Sequence, residues 1–156
     1  MRRVLTILSI VLLALLCCQC TASRELRLAR KGAKEVPYTV LKNYCVRNDV
    51  NTTKLQRLIF DNEDDFKAFF GTAPLMGGLP TDINWKTQFV IAIVWPVTDR
   101  TVNVIPLEVK QSPGNVIFKY RLNRGLKTGY RQVPFAAIAL NRGADPQQIQ
   151  VFYIEK

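Results

Sequence analysis

Residues 88–95 read QFVIAIVW, apolar without interruption after Gln88. A short run of this kind, rich in β-branched residues, fits a central strand covered on both faces. VIFKYRL (116–122) alternates with a period of two, as in a strand with one buried face. VPYTVLKNYCV (36–46) and KLQRLIF (54–60) are β-prone, and VPFAAIAL (133–140) and QIQVFYI (148–154) complete the sheet. In 116–122, Val116, Phe118, Tyr120 and Leu122 fall on the inward side. The segment TVNVIPLEV (101–109) changes phase: Val102 and Val104 share one parity, Leu107 and Val109 the other. Pro106 sits at the shift and predicts a bulge or an edge position. SPGN (112–115) predicts a tight turn.

The period lengthens to that of a helix only in DNEDDFKAFFG (61–71). Asp61 or Asn62 is placed to cap it, and Glu63, Asp64 and Asp65 occupy a first turn, where the helix dipole favours anions. Phe66, Phe69 and Phe70 then line one face, and Gly71 is the expected stop. The fold class is mainly β. The expected architecture is a compact sandwich-like or bent antiparallel or mixed sheet of about seven strands, with one short helix near 62–70.

The N-terminus follows a different logic. Arg2 and Arg3 precede an apolar run from Val4 to Leu16, broken only by Thr6 and Ser9. This is the layout of a secretory signal. The run is short of the ~20 residues that a helix needs to cross a hydrocarbon core of ~30 Å. It ends in LLCCQC (15–20), which resembles the lipobox of bacterial lipoproteins, where a cysteine is acylated and becomes the new N-terminus. Cys18 fits best, with Leu15 three residues before it and the small Cys17 directly before it. Cys17 would follow bulky Leu16, and Cys20 would follow polar Gln19. The expectation is a signal peptide over 1–17, lipid on Cys18, a basic tether over 18–35 and a single β-rich domain over 36–156. Export to the bacterial envelope follows, at the outer membrane or its periplasmic face.

Composition removes many chemistries. The chain contains no histidine, so the imidazole acid–base route, the usual hydrolytic triads and zinc proteases are absent. Past the signal, only Ser23 and Ser112 remain as serines, neither in a nucleophile elbow. Cys45 reads as a small buried apolar residue on a strand. The acids at 61–65 lack the spacing of a calcium loop. PLMGGLP (74–80) lacks the Lys-Ser/Thr of a phosphate loop, and NTT (51–53) is a glycosylation sequon of low specificity. The expectation is a protein without catalytic residues, metal or cofactor.

Formal net charge is +10, which favours acidic partners; export argues against nucleic acid. The charge concentrates late in the chain. Between Val109 and Ala144 there is no acid, while Lys110, Lys119, Arg121, Arg124, Lys127, Arg131 and Arg142 are all basic. Lys119 and Arg121 share the outward face of their strand, and NRGLKTGYR (123–131) reads as a Gly-punctuated loop. Lys119, Arg121, Arg124, Lys127, Tyr130 and Arg131 are the candidate patch for an anion or a partner. The partner would be an envelope protein or an anionic surface polymer, and a small-ligand-binding lipoprotein is the alternative.

Four segments together, LIFDNEDDFKAFFGTA, LPTDINWKTQFVIAIV, VPFAAIALN and VFYIEK, resemble the PrcB-like family over roughly residues 55–156. Ile83, Asn84 and Trp85, then Val90, Ile91 and Ala92, carry the central match; Val133, Pro134 and Phe135 carry the late one. The resemblance implies a β-rich fold and a small, often lipidated envelope protein. It further implies a non-catalytic subunit of the kind that stabilises a surface protease complex.

Overall fold

A computed structural model describes residues 24–73, 78–143 and 149–156. The signal segment and the lipid site Cys18 lie outside the described residues. The chain is mainly β, in three layers. Residues 24–30 form helix α1. Next come β1 (Lys34–Glu35), β2 (Thr39–Val40), β3 (Tyr44–Val46), β4 (Gln56–Phe60), α2 (Glu63–Phe69), β5 (Phe70–Thr72) and β6 (Gln88–Val94). The last four strands are β7 (Thr98–Ser112), β8 (Asn115–Gln132), β9 (Phe135–Asn141) and β10 (Gln150–Glu155).

One sheet has the order β1-β7-β8-β10, and a second has the order β2-β9-β6-β4. A small β3-β5 ladder stands apart from both. The first sheet is mixed, since β10 runs parallel to β8 while β7 runs antiparallel to it. The second is antiparallel throughout.

The apolar run of β6 is explained by its position between two cores. Phe89, Ile91 and Ile93 point towards the first sheet and meet Val109, Phe118 and Tyr120 there. Val90, Ala92 and Val94 point the other way, into a core with Phe60, Phe66, Phe70 and Ile83. β9 divides likewise, with Ile138 and Leu140 on one side and Ala137 and Ala139 on the other. The small alanines leave room for the aromatic cluster beneath α2. Phe66 contacts Tyr44, Phe60, Phe70 and Trp85 at ring-centroid distances of 5.2, 5.5, 5.0 and 5.4 Å. Across the sandwich, the Tyr153 hydroxyl of β10 donates to the Leu58 carbonyl of β4 at 3.1 Å and so joins the two sheets. Burial pushes that phenol above its ordinary pKa.

Local expectations are met at several points. Asn62 caps α2, its side chain accepting from the Asp65 N–H at 2.8 Å. The Ser112↔Asn115 pair closes a tight turn in which Gly114 takes φ +71. The phase change at Pro106 is a bulge: Pro106 pairs with Tyr120 and Glu108 with Lys119, so Leu107 is the extra residue.

Other expectations are corrected. Gly71 does not end α2; the helix stops at Phe69 and the chain enters β5 at Phe70, with Gly71 paired to Cys45. Cys45 is exposed, not buried, because Val46 and not its neighbour takes the inward side of β3. From residue 24 onwards the tether is part of the folded unit. Ala29 is only 2% exposed, its carbonyl accepts from the Ser112 hydroxyl at 3.2 Å, and Lys34–Glu35 pairs with Lys110–Gln111. There is a second helix beside α2, and short strands raise the number beyond seven.

Candidate functional site

The basic segment is not a loop. β8 continues unbroken to Gln132, so NRGLKTGYR (123–131) is strand. Gly125 serves the ladder here: a side-chain carbon at that position would lie 3.2 Å from the Thr101 Cβ. β10 covers β8 only as far as Tyr120, so beyond Arg121 the ladder partner of β8 is β7 alone. This outer limb is irregular. Between the pairs Thr98↔Gln132 and Arg100↔Lys127, Asp99 alone faces residues 128–131. The Thr128 hydroxyl lies 2.8 Å from the Asp99 carbonyl and 2.7 Å from that of Tyr130, within donating distance of either. The Gln132 amide donates to the Arg100 carbonyl at 2.7 Å. These bonds fix the bulge and turn its side chains outward. Leu126 is 85% exposed and Tyr130 66% exposed.

The candidate cations divide into three groups. Lys119 and Lys110 converge on Glu108 of β7, Lys110 at 2.7 Å. The two ammonium groups hold the Glu108 carboxyl at about 2. Lys119 is therefore half-buried and paired, and leaves the patch. Arg142 is a structural tie, donating to the Gln88 carbonyl at 3.0 Å and to the Asp61 carbonyl. Arg121, Arg124, Lys127 and Arg131 remain on the exposed limb, with Tyr130 among them. Arg124 lies over the Trp95 ring at 5.2 Å, a cation–π contact that holds the guanidinium in place. Lys127 meets Asp99 at 3.1 Å, and the hydrogen bond from Lys127 lowers the Asp99 carboxyl. Arg121 and Arg131 form no ion pair among the described residues. The stretch is acid-free in sequence but not in space, because β7 brings Asp99 and Glu108 across to it.

At the root of the limb lies a pocket of about 400 Å³, between β8 and the β3–β4 connection. Arg131, Gln132, Val133 and Phe135 stand on one side; Cys45, Arg47 and Thr52 stand on the other. Arg47 is gripped by Asp49, which accepts from Nε at 3.1 Å and from Nη2 at 3.0 Å. No local pattern marks this pocket in the sequence. Its walls come from segments more than seventy residues apart, and the two residues that distinguish it are arginines in a chain rich in basic residues.

Among the described residues, no three His, Cys, Asp or Glu side chains are grouped so as to hold a metal ion, and no helix is long and apolar enough to cross a membrane. No family model, curated protein or solved structure matches the chain.

Proposed function

We propose that the protein is a non-enzymatic, lipid-anchored interaction module of the bacterial envelope, which docks an acidic face of another envelope protein through the outer limb of β8. The observation that carries this reading is the limb itself. Residues 121–131 are held in strand by β7 despite the bulges of this limb, yet nearly all their side chains lie outside both cores. Folding gains little apolar burial from such a segment. It presents four cations around exposed Leu126 and Tyr130, a mixture suited to an interface with an apolar centre and a charged rim. The absence of histidine from the sequence supports a binding role over hydrolysis. The lipobox-like junction at Cys18 supports anchoring, and the PrcB-like resemblance makes a surface protease complex the first partner to test.

The decisive experiment compares the full-length protein with Arg121→Glu/Arg124→Glu/Lys127→Glu and with a control, Lys42→Glu/Lys54→Glu/Lys86→Glu, carrying the same charge change on exposed sites elsewhere. Retention of an envelope partner should fall about tenfold or more in the limb variant, with a flatter salt dependence, and should hold in the control. Equal losses in both would reduce the limb to general positive charge. Mass spectrometry of the mature N-terminus should find diacylated Cys18; a free amine at Ala22 would remove the anchor. Turnover of ester, peptide or glycoside substrates by the purified protein would overturn the non-enzymatic part.

A further inference from the structure

The pocket at the root of the limb has the makings of a ligand site in its own right. Its volume of about 400 Å³ falls within the range of about 300–1,000 Å³ usual for small-molecule sites. Arg47 and Arg131 are among the residues that line it, and no Asp or Glu is. Arg47 is oriented by Asp49 through Nε and Nη2. Arg131 makes no ion pair among the described residues, so its planar fork is free for an anion.

Thr52 adds a second, independent sign. Among the described residues it is the one buried polar residue, 8% exposed. Its carbonyl accepts from the Val97 N–H at 2.9 Å. Its hydroxyl has no hydrogen-bond partner among the described residues, and it is not sealed from solvent. The hydroxyl is therefore reachable by a ligand from solvent, and Thr52 is one of the residues that line the pocket. Val46, Val50, Val97, Val133 and Phe135 supply the apolar remainder.

We propose that this pocket binds a small carboxylate borne on an apolar group. The Arg131 fork takes the carboxylate in a charge-assisted pair, the Thr52 hydroxyl donates to it, and the valines and Phe135 take the apolar group. Phosphate would satisfy the arginines but leave those walls without a partner. The site is separate from the docking surface, sharing with it only Arg131.

The test uses phenylacetate as probe, titrated into the ¹⁵N-labelled full-length protein, with phenylacetamide and inorganic phosphate in parallel. Amide shifts should cluster at Thr52, Val97 and Arg131 and saturate in the millimolar range or below. Phenylacetamide and phosphate should bind at least about tenfold more weakly. Arg131→Gln should weaken phenylacetate about tenfold, the usual scale for losing a hydrogen bond to a charged group. Arg131→Lys should restore part of it, and Thr52→Val, which keeps the side-chain volume, should weaken it severalfold. The charge-reversed limb, Arg121→Glu/Arg124→Glu/Lys127→Glu, should bind phenylacetate within about threefold of the parent, so this site and the docking surface stand or fall separately. Absence of shifts at those residues, equal binding of phenylacetamide or phosphate, or an unchanged affinity in Arg131→Gln would each overturn the proposal.

Discussion

Arg142 shows how one residue's role is set by geometry rather than by charge. Its guanidinium donates to the Gln88 and Asp61 carbonyls, and its N–H donates to the Thr87 carbonyl at 2.7 Å. It thus ties the end of β9 to the start of β6 and to the entry of α2. Arg142→Ala removes the donors from carbonyls in a half-buried place. The expected cost is about 1–3 kcal/mol, read as a lower urea midpoint, whereas Arg121→Ala should change stability little. Nothing in the sequence separates these two arginines, because the carbonyls that Arg142 holds lie 54 and 81 positions away. Glu108 yields a prediction in pH. Its carboxyl is held at about 2 by hydrogen bonds from Lys110 and Lys119, below the ordinary ~4.3. The fold favours the charged form. That contribution is complete above the unfolded value and is lost as pH falls from there towards 2. Glu108→Gln should therefore show a shallower loss of stability between about pH 4.5 and 2 than the parent does, in equilibrium denaturation at matched salt.

At the scale of elements, the most legible features are those written in adjacent positions. The change of phase across Pro106 marks the Leu107 bulge because side-chain direction alternates residue by residue. The acids and phenylalanines of 61–70 mark α2 for the same local reason. Its end is less legible: Phe70 leaves the helix and joins β5, paired with Val46. The outer limb of β8 hides for a related reason. Two glycines and a row of exposed polar residues look like a loop, but backbone hydrogen bonds to β7 need no buried face. Two substitutions check these assignments. Asn62→Ala removes the N-cap and should cost about 1 kcal/mol, as N-cap losses usually do, visible as a lower thermal midpoint. Gly125→Ala pushes a methyl group against the Thr101 side chain. Because the limb is outside both cores, its amides should exchange faster in that variant while the thermal midpoint moves by no more than about 2 °C, the shift expected for well under 1 kcal/mol in a domain of this size.

For the molecule as a whole, the doubly apolar strand at 88–95 implies its own surroundings. Something must cover each face, and a sheet on one side with a helix and small ladder on the other is the arrangement found. What local pattern does not carry is the partition of the remaining strands between sheets, or the parallel pairing of β10 with β8. Both depend on contacts distant along the chain. α1 escapes for a different reason: a polar, basic stretch gives little sign that Ala29 alone would be buried. The layered arrangement predicts a gradient of stability. β6 has strand neighbours on both edges and buried side chains on both faces, so its amides can open only when both cores separate. β9 shares both cores. The limb over 121–131 has one ladder neighbour and only Leu122 packed against a core, and can open by itself. Native-state hydrogen exchange should therefore find the slowest amides at Phe89–Val94 and Ala136–Leu140, at or near the free energy of global unfolding. The limb amides should exchange orders of magnitude faster and depend little on denaturant. A partner docked on the limb should slow those amides selectively, and phenylacetate should act instead on the amides around Thr52 and Val97. If the limb amides of the free protein were as protected as those of β6, the limb would be part of the cooperative core, and it would have to be assigned a structural role in place of the docking role proposed for it.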